Sequence, residues 1–192
     1  MSSSASAPPL RELTSRQLDT VNRLVDAAVE EVRAVGFGGL TVRNVAARAG
    51  VAPATAYNYF GSKEHLVSEV FWRRLMALEP SRVDGRQSPA NRVGAALRDV
   101  AMLVADEPEL SAACTTALLV NEPAVKHLRD RIGANIHQRL VRALGHDDPT
   151  VVAALELAYS GAMLQTGTGH LSYDDLGDRL AETAELLLGV RR

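Results

Sequence analysis

The chain has a single cysteine, Cys114, among 192 residues, so no internal disulfide can form and a reducing compartment is expected. It has no basic excess. The formal net charge of −2 excludes a protein that coats a polyanion by bulk charge and confines any such contact to a local patch. It has no long hydrophobic run. The longest, such as Val100 to Ala105, are far too short for a bilayer, so no membrane partner is expected. The opening MSSSASAPPL lacks a basic start and an apolar stretch, so it does not read as a secretory signal. Residues 1–13 read instead as a flexible arm rich in Ser, Ala and Pro. Sustained period-two alternation is missing as well, which argues against a sheet. These absences leave a soluble, cytoplasmic, all-α protein as the expectation, and with 46 % hydrophobic residues it can bury a core.

Reactive constellations are also lacking. The five histidines form no pair with cysteine or a second histidine at metal-ligand spacing on one helix face, so no metal site is expected. Gly167-Thr168-Gly169 has no strand before it and reads as a helix break rather than a phosphate loop. Ser111 and Cys114 have no evident base or orienting partner. The chain is therefore expected to be neither an enzyme nor a cofactor carrier.

What is present is helical periodicity nearly throughout. A capping box at Thr14 and Gln17 opens the first helix, with Leu18, Val21, Val25, Ala28, Val32 and Val35 along one face, ending at Gly36 in an FGG loop. Thr41 suits the N-cap of a second helix that Gly50 ends, and Pro53 suits the first turn of a third, running to about Phe60. Ser62 caps a fourth, with Leu66, Val67, Val70, Phe71 and Leu75 facing inward. Phe71 and Trp72 are expected to pack between the first and fourth helices. After Pro80 the stretch PSRVDGRQSP is polar and turn-rich and reads as a joint between domains. Five longer helices follow, opened by Pro89, Pro108, Pro123, Pro149 and a Ser172–Asp175 cap, for about nine in all.

Two short helices joined by a glycine turn have the form of a helix-turn-helix, whose second helix can enter the major groove, about 12 Å wide. On that helix Ala56 and Phe60 share a face assigned to the core, while Thr55, Asn58 and Tyr59 lie opposite and free. Charge agrees: residues 40–65 hold Arg43, Arg48 and Lys63 against Glu64, whereas residues 81–192 hold 12 Lys+Arg against 15 Asp+Glu. Arg48 reads as solvent-facing or ion-paired within the chain.

The set DAA at 26–28, GF at 36–37, LTVRNVA at 40–46, AGV at 49–51 and TAYNYFGSKEHL at 55–66 resembles the DNA-binding domain of the TetR family of transcriptional repressors, over about residues 15–76. The resemblance implies an all-α homodimer that represses from a palindromic operator in double-stranded DNA and lets go when a small molecule enters its C-terminal domain. Carried over by position, Thr41 would contact phosphate and Arg43 phosphate or a base edge. Pro53, Ala54 and Thr55 would touch backbone or thymine methyls, and Tyr57 and Tyr59 would bond phosphate. Asn58 can pair with an adenine edge, and Lys63 would add an ammonium beside the fourth helix's N-terminus. Three positions depart from the family pattern: Ala52 where serine is frequent, Ala54 for glycine and Ala56 for leucine.

Residues 14–60 are thus expected to form the DNA-binding domain, 61–80 a connecting helix, and 81–192 a ligand-binding and dimerisation domain whose layout is similar to actinobacterial TetR-like regulators of lipid or sterol catabolism. Met102, Leu103, Cys114, Thr115, Leu118, Ile132, Asn135, Ile136, Tyr159 and Met163 could line a pocket for a hydrophobic or amphipathic effector. No cluster of Arg or His points to an anionic one. Val152, Leu155, Tyr159 and Met163, with Leu176, Leu180 and Leu187, are expected along a four-helix dimer seam. The competing reading is a helical small-molecule-binding or scaffold protein that keeps the fold without operator binding.

Overall fold

A computed structural model describes residues 14–189, and the arm expected over 1–13 lies outside them. Nine helices follow one another among the described residues: α1 (Ser15–Gly39), α2 (Val42–Arg48), α3 (Pro53–Tyr59), α4 (Lys63–Ala77), α5 (Pro89–Ala101), α6 (Pro108–Leu118), α7 (Pro123–Leu144), α8 (Pro149–Gly167) and α9 (Tyr173–Leu187). Their starts follow from local chemistry. Thr14 and Gln17 close a full capping box, Thr41 and Ser62 accept from the backbone N–H three residues on, and α3, α5, α6, α7 and α8 each begin with proline, whose fixed φ suits a first turn. α3 starts without a side-chain cap, because Ala52 has no acceptor to offer.

Gly36 does not end α1 in a loop, as the FGG motif suggested. It breaks the helix with φ +66°, and a further helical turn runs to Gly39 before Leu40 turns extended. The buried stripe of α1 also differs from the expected one. Val21, Leu24, Val25, Ala28 and Val32 face inward, whereas Leu18 and Val35 at the ends are exposed.

A continuous apolar core runs from Val21 in α1 to Ala184 in α9. α6 packs on both α1 and α4, and α7 also meets α4, so the first four helices and the last five share that core. α5 lies closely along α9. A side chain at Gly94 would come within 2.9 Å of the Ala181 methyl, so only glycine lets the two backbones approach this far. Trp72, expected between the first and fourth helices, is buried and meets α7, with the Arg131 guanidinium 4.2 Å over its ring. The residues expected along a dimer seam divide between core and surface. Val152, Leu155, Tyr159, Leu176 and Leu180 are buried inside their own chain, where they close α8 and α9 onto the core. Their apolar spacing marks burial within the chain. Leu187, also expected there, is exposed, as are Leu157, Leu164 and Leu186.

Candidate nucleic-acid interface and effector cavity

The α2–α3 pair is held from below. Ala56 and Phe60 are buried, as expected, and fix α3 to the core. Gly50, at φ +63°, makes the turn from α2, and Arg23 on α1 donates through Nη1 to the Ala49 carbonyl at 3.2 Å, which covers the end of α2. Arg48 pairs with the buried Glu31 at 2.7 Å, so its charge is used within the chain.

The outward face of α3 is shifted from the expected one. Ala54, Tyr57 and Asn58, spaced three and four apart, are exposed together with Pro53, while Thr55 and Tyr59 are half-buried. The side chains of Tyr57, Asn58 and Arg43 have no hydrogen-bond or ion-pair partner among the described residues, which leaves their polar groups free for a ligand. Thr41 is exposed beside them. Its Oγ1 accepts from the Asn44 N–H at 3.0 Å, so the hydroxyl proton remains available to a phosphate oxygen. Lys63 is half-buried. Its ammonium donates to the Phe37 carbonyl at 2.8 Å and sits 4.4 Å from the centroid of the Phe37 ring, which leaves two of its three N–H groups for an outside acceptor.

α4, α6, α7 and α8 line a cavity of about 710 Å³ that opens to the surface. Seven of the ten residues expected in a pocket line it: Cys114, Thr115, Leu118, Ile132, Ile136, Tyr159 and Met163. The other three do not. Met102 ends α5 and is exposed, the Leu103 carbonyl accepts from Arg74 at 2.8 Å, and Asn135 Oδ1 accepts from Arg139 Nε at 2.7 Å. Phe71, expected between the first and fourth helices, is buried and reaches the cavity wall. Sequence reasoning missed His137, Glu156 and Arg129. The His137 Nδ1 and Glu156 Oε1 atoms lie 2.9 Å apart across α7 and α8, a pairing that no spacing along one helix could reveal. Burial pushes the Cys114 thiol up to about 12 and raises the Tyr159 hydroxyl above its ordinary range, so both stay protonated at neutral pH.

One carboxylate ties the start of α6 to α1 and α4. Glu107, just ahead of α6, bridges Arg33 on α1 and Arg74 on α4, each at 2.7 Å. Burial, which would raise its pKa, is outweighed by the hydrogen bonds from Arg74 and Arg33, so the carboxyl stays below its usual range. A second tie runs from the Ser62 hydroxyl to Glu122 at the start of α7, at 2.6 Å.

Residues 24–70 match the family model described as bacterial regulatory proteins, tetR family. An HTH-type transcriptional regulator of Mycobacterium tuberculosis H37Rv is 47 % identical over 176 residues, covering 90 % of this chain and 82 % of the relative. The chain belongs to the TetR family. Among the family's named members, the HTH-type transcriptional repressor KstR of Rhodococcus jostii RHA1 is 28 % identical over 92 % of this chain and 86 % of its own. The crystal structure of a TetR transcriptional regulator from Rhodococcus sp. RHA1 superposes with a TM-score of 0.74 at 24 % identity, covering 93 % of this chain and all of that one. The multidrug binding protein EbrR, complexed with imidazole, shares the TetR fold at a TM-score of 0.65 and 22 % identity, over 90 % of this chain and 96 % of that one. As a TetR-family member the chain is an all-α, DNA-binding transcriptional regulator and not an enzyme. Among the described residues no helix is long and apolar enough to cross a membrane.

Proposed function

We propose that the chain is a homodimeric repressor of the cytoplasm. It binds a palindromic operator through α2 and α3 and leaves it when a hydrophobic or amphipathic effector fills the cavity. In this reading 14–60 forms the DNA-binding domain, 61–80 connects, and 81–192 senses and dimerises. The observation that carries it is the free polar face of α3. Tyr57 and Asn58 stand exposed and unpaired beside Arg43 and Thr41, on a helix fixed from behind by Ala56 and Phe60. An unpaired amide on such a helix suits an adenine edge, and the surrounding hydroxyls and guanidinium suit phosphates. KstR, a repressor, supports the direction of control, and a cavity with mostly apolar walls supports a small-molecule signal.

Two copies are needed to place two α3 helices on successive half-sites, about 34–36 Å apart for sites one turn apart. The exposed leucines of α8 and α9 (Leu157, Leu164, Leu186 and Leu187) are the apolar surface offered to a second copy. A mobility shift with the promoter of the chain's own gene tests the proposal. Retarded DNA that an unrelated duplex of equal length cannot displace is the expected result. Equal competition by the two duplexes would favour a binding or scaffold protein that keeps only the fold.

A further inference from the structure

The cavity's hydroxyls are nearly all engaged, and the exception indicates what the cavity takes. The Ser111 and Tyr173 hydroxyls pair with each other, Thr115 donates to the Ser111 carbonyl at 3.0 Å, and Ser160 donates to the Glu156 carbonyl at 2.8 Å. Tyr159 is different. Its side chain is only 7 % exposed and lines the cavity, yet its hydroxyl has no hydrogen-bond partner among the described residues. That oxygen is also not among the unpartnered polar atoms sealed inside the protein, so the access it retains opens on the cavity. A phenol held neutral by burial is a good donor.

Charge narrows the choice further. Arg129, at the wall, directs Nη1 to the Leu118 and Val120 carbonyls, both at 2.8 Å, and Asp130 pairs with Lys126 at 2.7 Å. His137 is taken by Glu156. Arg129 keeps its remaining N–H groups and has no carboxylate partner of its own among the described residues, but Asp130 and Glu156 on the same wall outnumber it, so the wall offers an anion more repulsion than attraction. A carboxylate entering there would lose its water to a wall where Asp130 and Glu156 outnumber Arg129, which is unfavourable. The remaining wall, with Phe71, Val104, Leu118, Ile132, Ile136 and Met163, is apolar.

We infer that the cavity selects an uncharged, largely apolar molecule carrying a carbonyl oxygen, which accepts a hydrogen bond from the Tyr159 hydroxyl. The inference rests on the reading of this cavity as the effector site and names the chemistry of its ligand.

Calorimetry on the full chain with three probes of equal length tests it: 2-tridecanone, tridecane and tridecanoate. The ketone should bind about three- to tenfold more tightly than the alkane, the worth of one hydrogen bond, and the carboxylate most weakly. Tyr159→Phe should remove the preference for the ketone and leave tridecane affinity unchanged. Equal binding of ketone and alkane to the unaltered protein would overturn the inference without any variant. So would a preference for the carboxylate, or a Tyr159→Phe protein that loses both neutral probes alike. The same probes, added to the protein–promoter complex, keep this separate from the proposed function. A ketone preference that depends on Tyr159, in a protein that binds no operator, sinks the repressor and keeps the inference. Operator release by alkane and ketone alike does the reverse.

Discussion

The amide of Asn58 projects from α3 with no partner in its own chain. A bidentate pair with adenine is typically worth about 1–3 kcal/mol of discrimination. Asn58→Ala should therefore narrow the gap between operator and random DNA, measured by competition binding, while non-specific affinity stays near that of the parent. Lys63→Ala should lower affinity for both DNAs and reduce the slope of log K against log salt by about one. It should also cost some stability, since the Phe37 carbonyl loses its donor. His65 belongs to this scale too. It packs edge-on against Phe60 at 5.2 Å, and burial lowers its pKa, partly offset by Glu122. The folded state then binds the proton less readily than the unfolded chain. Stability is full above the ordinary histidine range and falls as pH drops through it. The melting temperature of the parent should fall more between pH 7.5 and 5.5 than that of His65→Gln. Equal falls would show that this ring does not contribute.

At the scale of elements, α6 is the joint. It lines the cavity with Ser111, Cys114, Thr115 and Leu118, and the residue that precedes it, Glu107, holds Arg33 of α1 and Arg74 of α4. Glu107→Gln should lower the melting temperature at pH 7 by about 2–4 °C. The carboxyl's folded pKa is depressed, so its contribution is present above the ordinary carboxylate range and lost as pH falls through the folded value. The difference between variant and parent should thus shrink on acidification, which a melting series down to pH 3 measures. Helix starts were legible in the sequence because caps and first-turn prolines act within four residues: Thr14, Thr41, Ser62 and the five prolines all stand where their chemistry requires. The break at Gly36 was legible as a break, and the helical turn after it was not. Residues that meet across elements were hidden. Glu107 with two arginines, His137 with Glu156, and Lys63 with Phe37 all join positions that no periodicity links.

For the whole molecule, apolar spacing revealed which faces are covered and not by what. That is why Val152, Leu155, Leu176 and Leu180 read as a seam between chains when they close the chain's own core. The surface proposed for a second copy is Leu157 and Leu164, seven residues apart on α8, with Leu186 and Leu187 on α9. Leu157→Glu should turn a dimer into a monomer in sedimentation at micromolar concentration and leave the helical circular dichroism unchanged. Dimer mass that persists in both this variant and Leu186→Glu would place the interface elsewhere.

The clasp of the Lys63 ammonium on the Phe37 carbonyl and ring has a consequence for how the proposed repressor would let go of its operator. It fastens the tail of α1 to the head of α4, so the 25 or so residues between them form a buckled strap, closed at its base. A strap of that kind swings as a unit. In the proposed repressor its reading edge would not be withdrawn separately, and a signal from the cavity would act by changing the span between the two straps of a pair while each keeps its own shape.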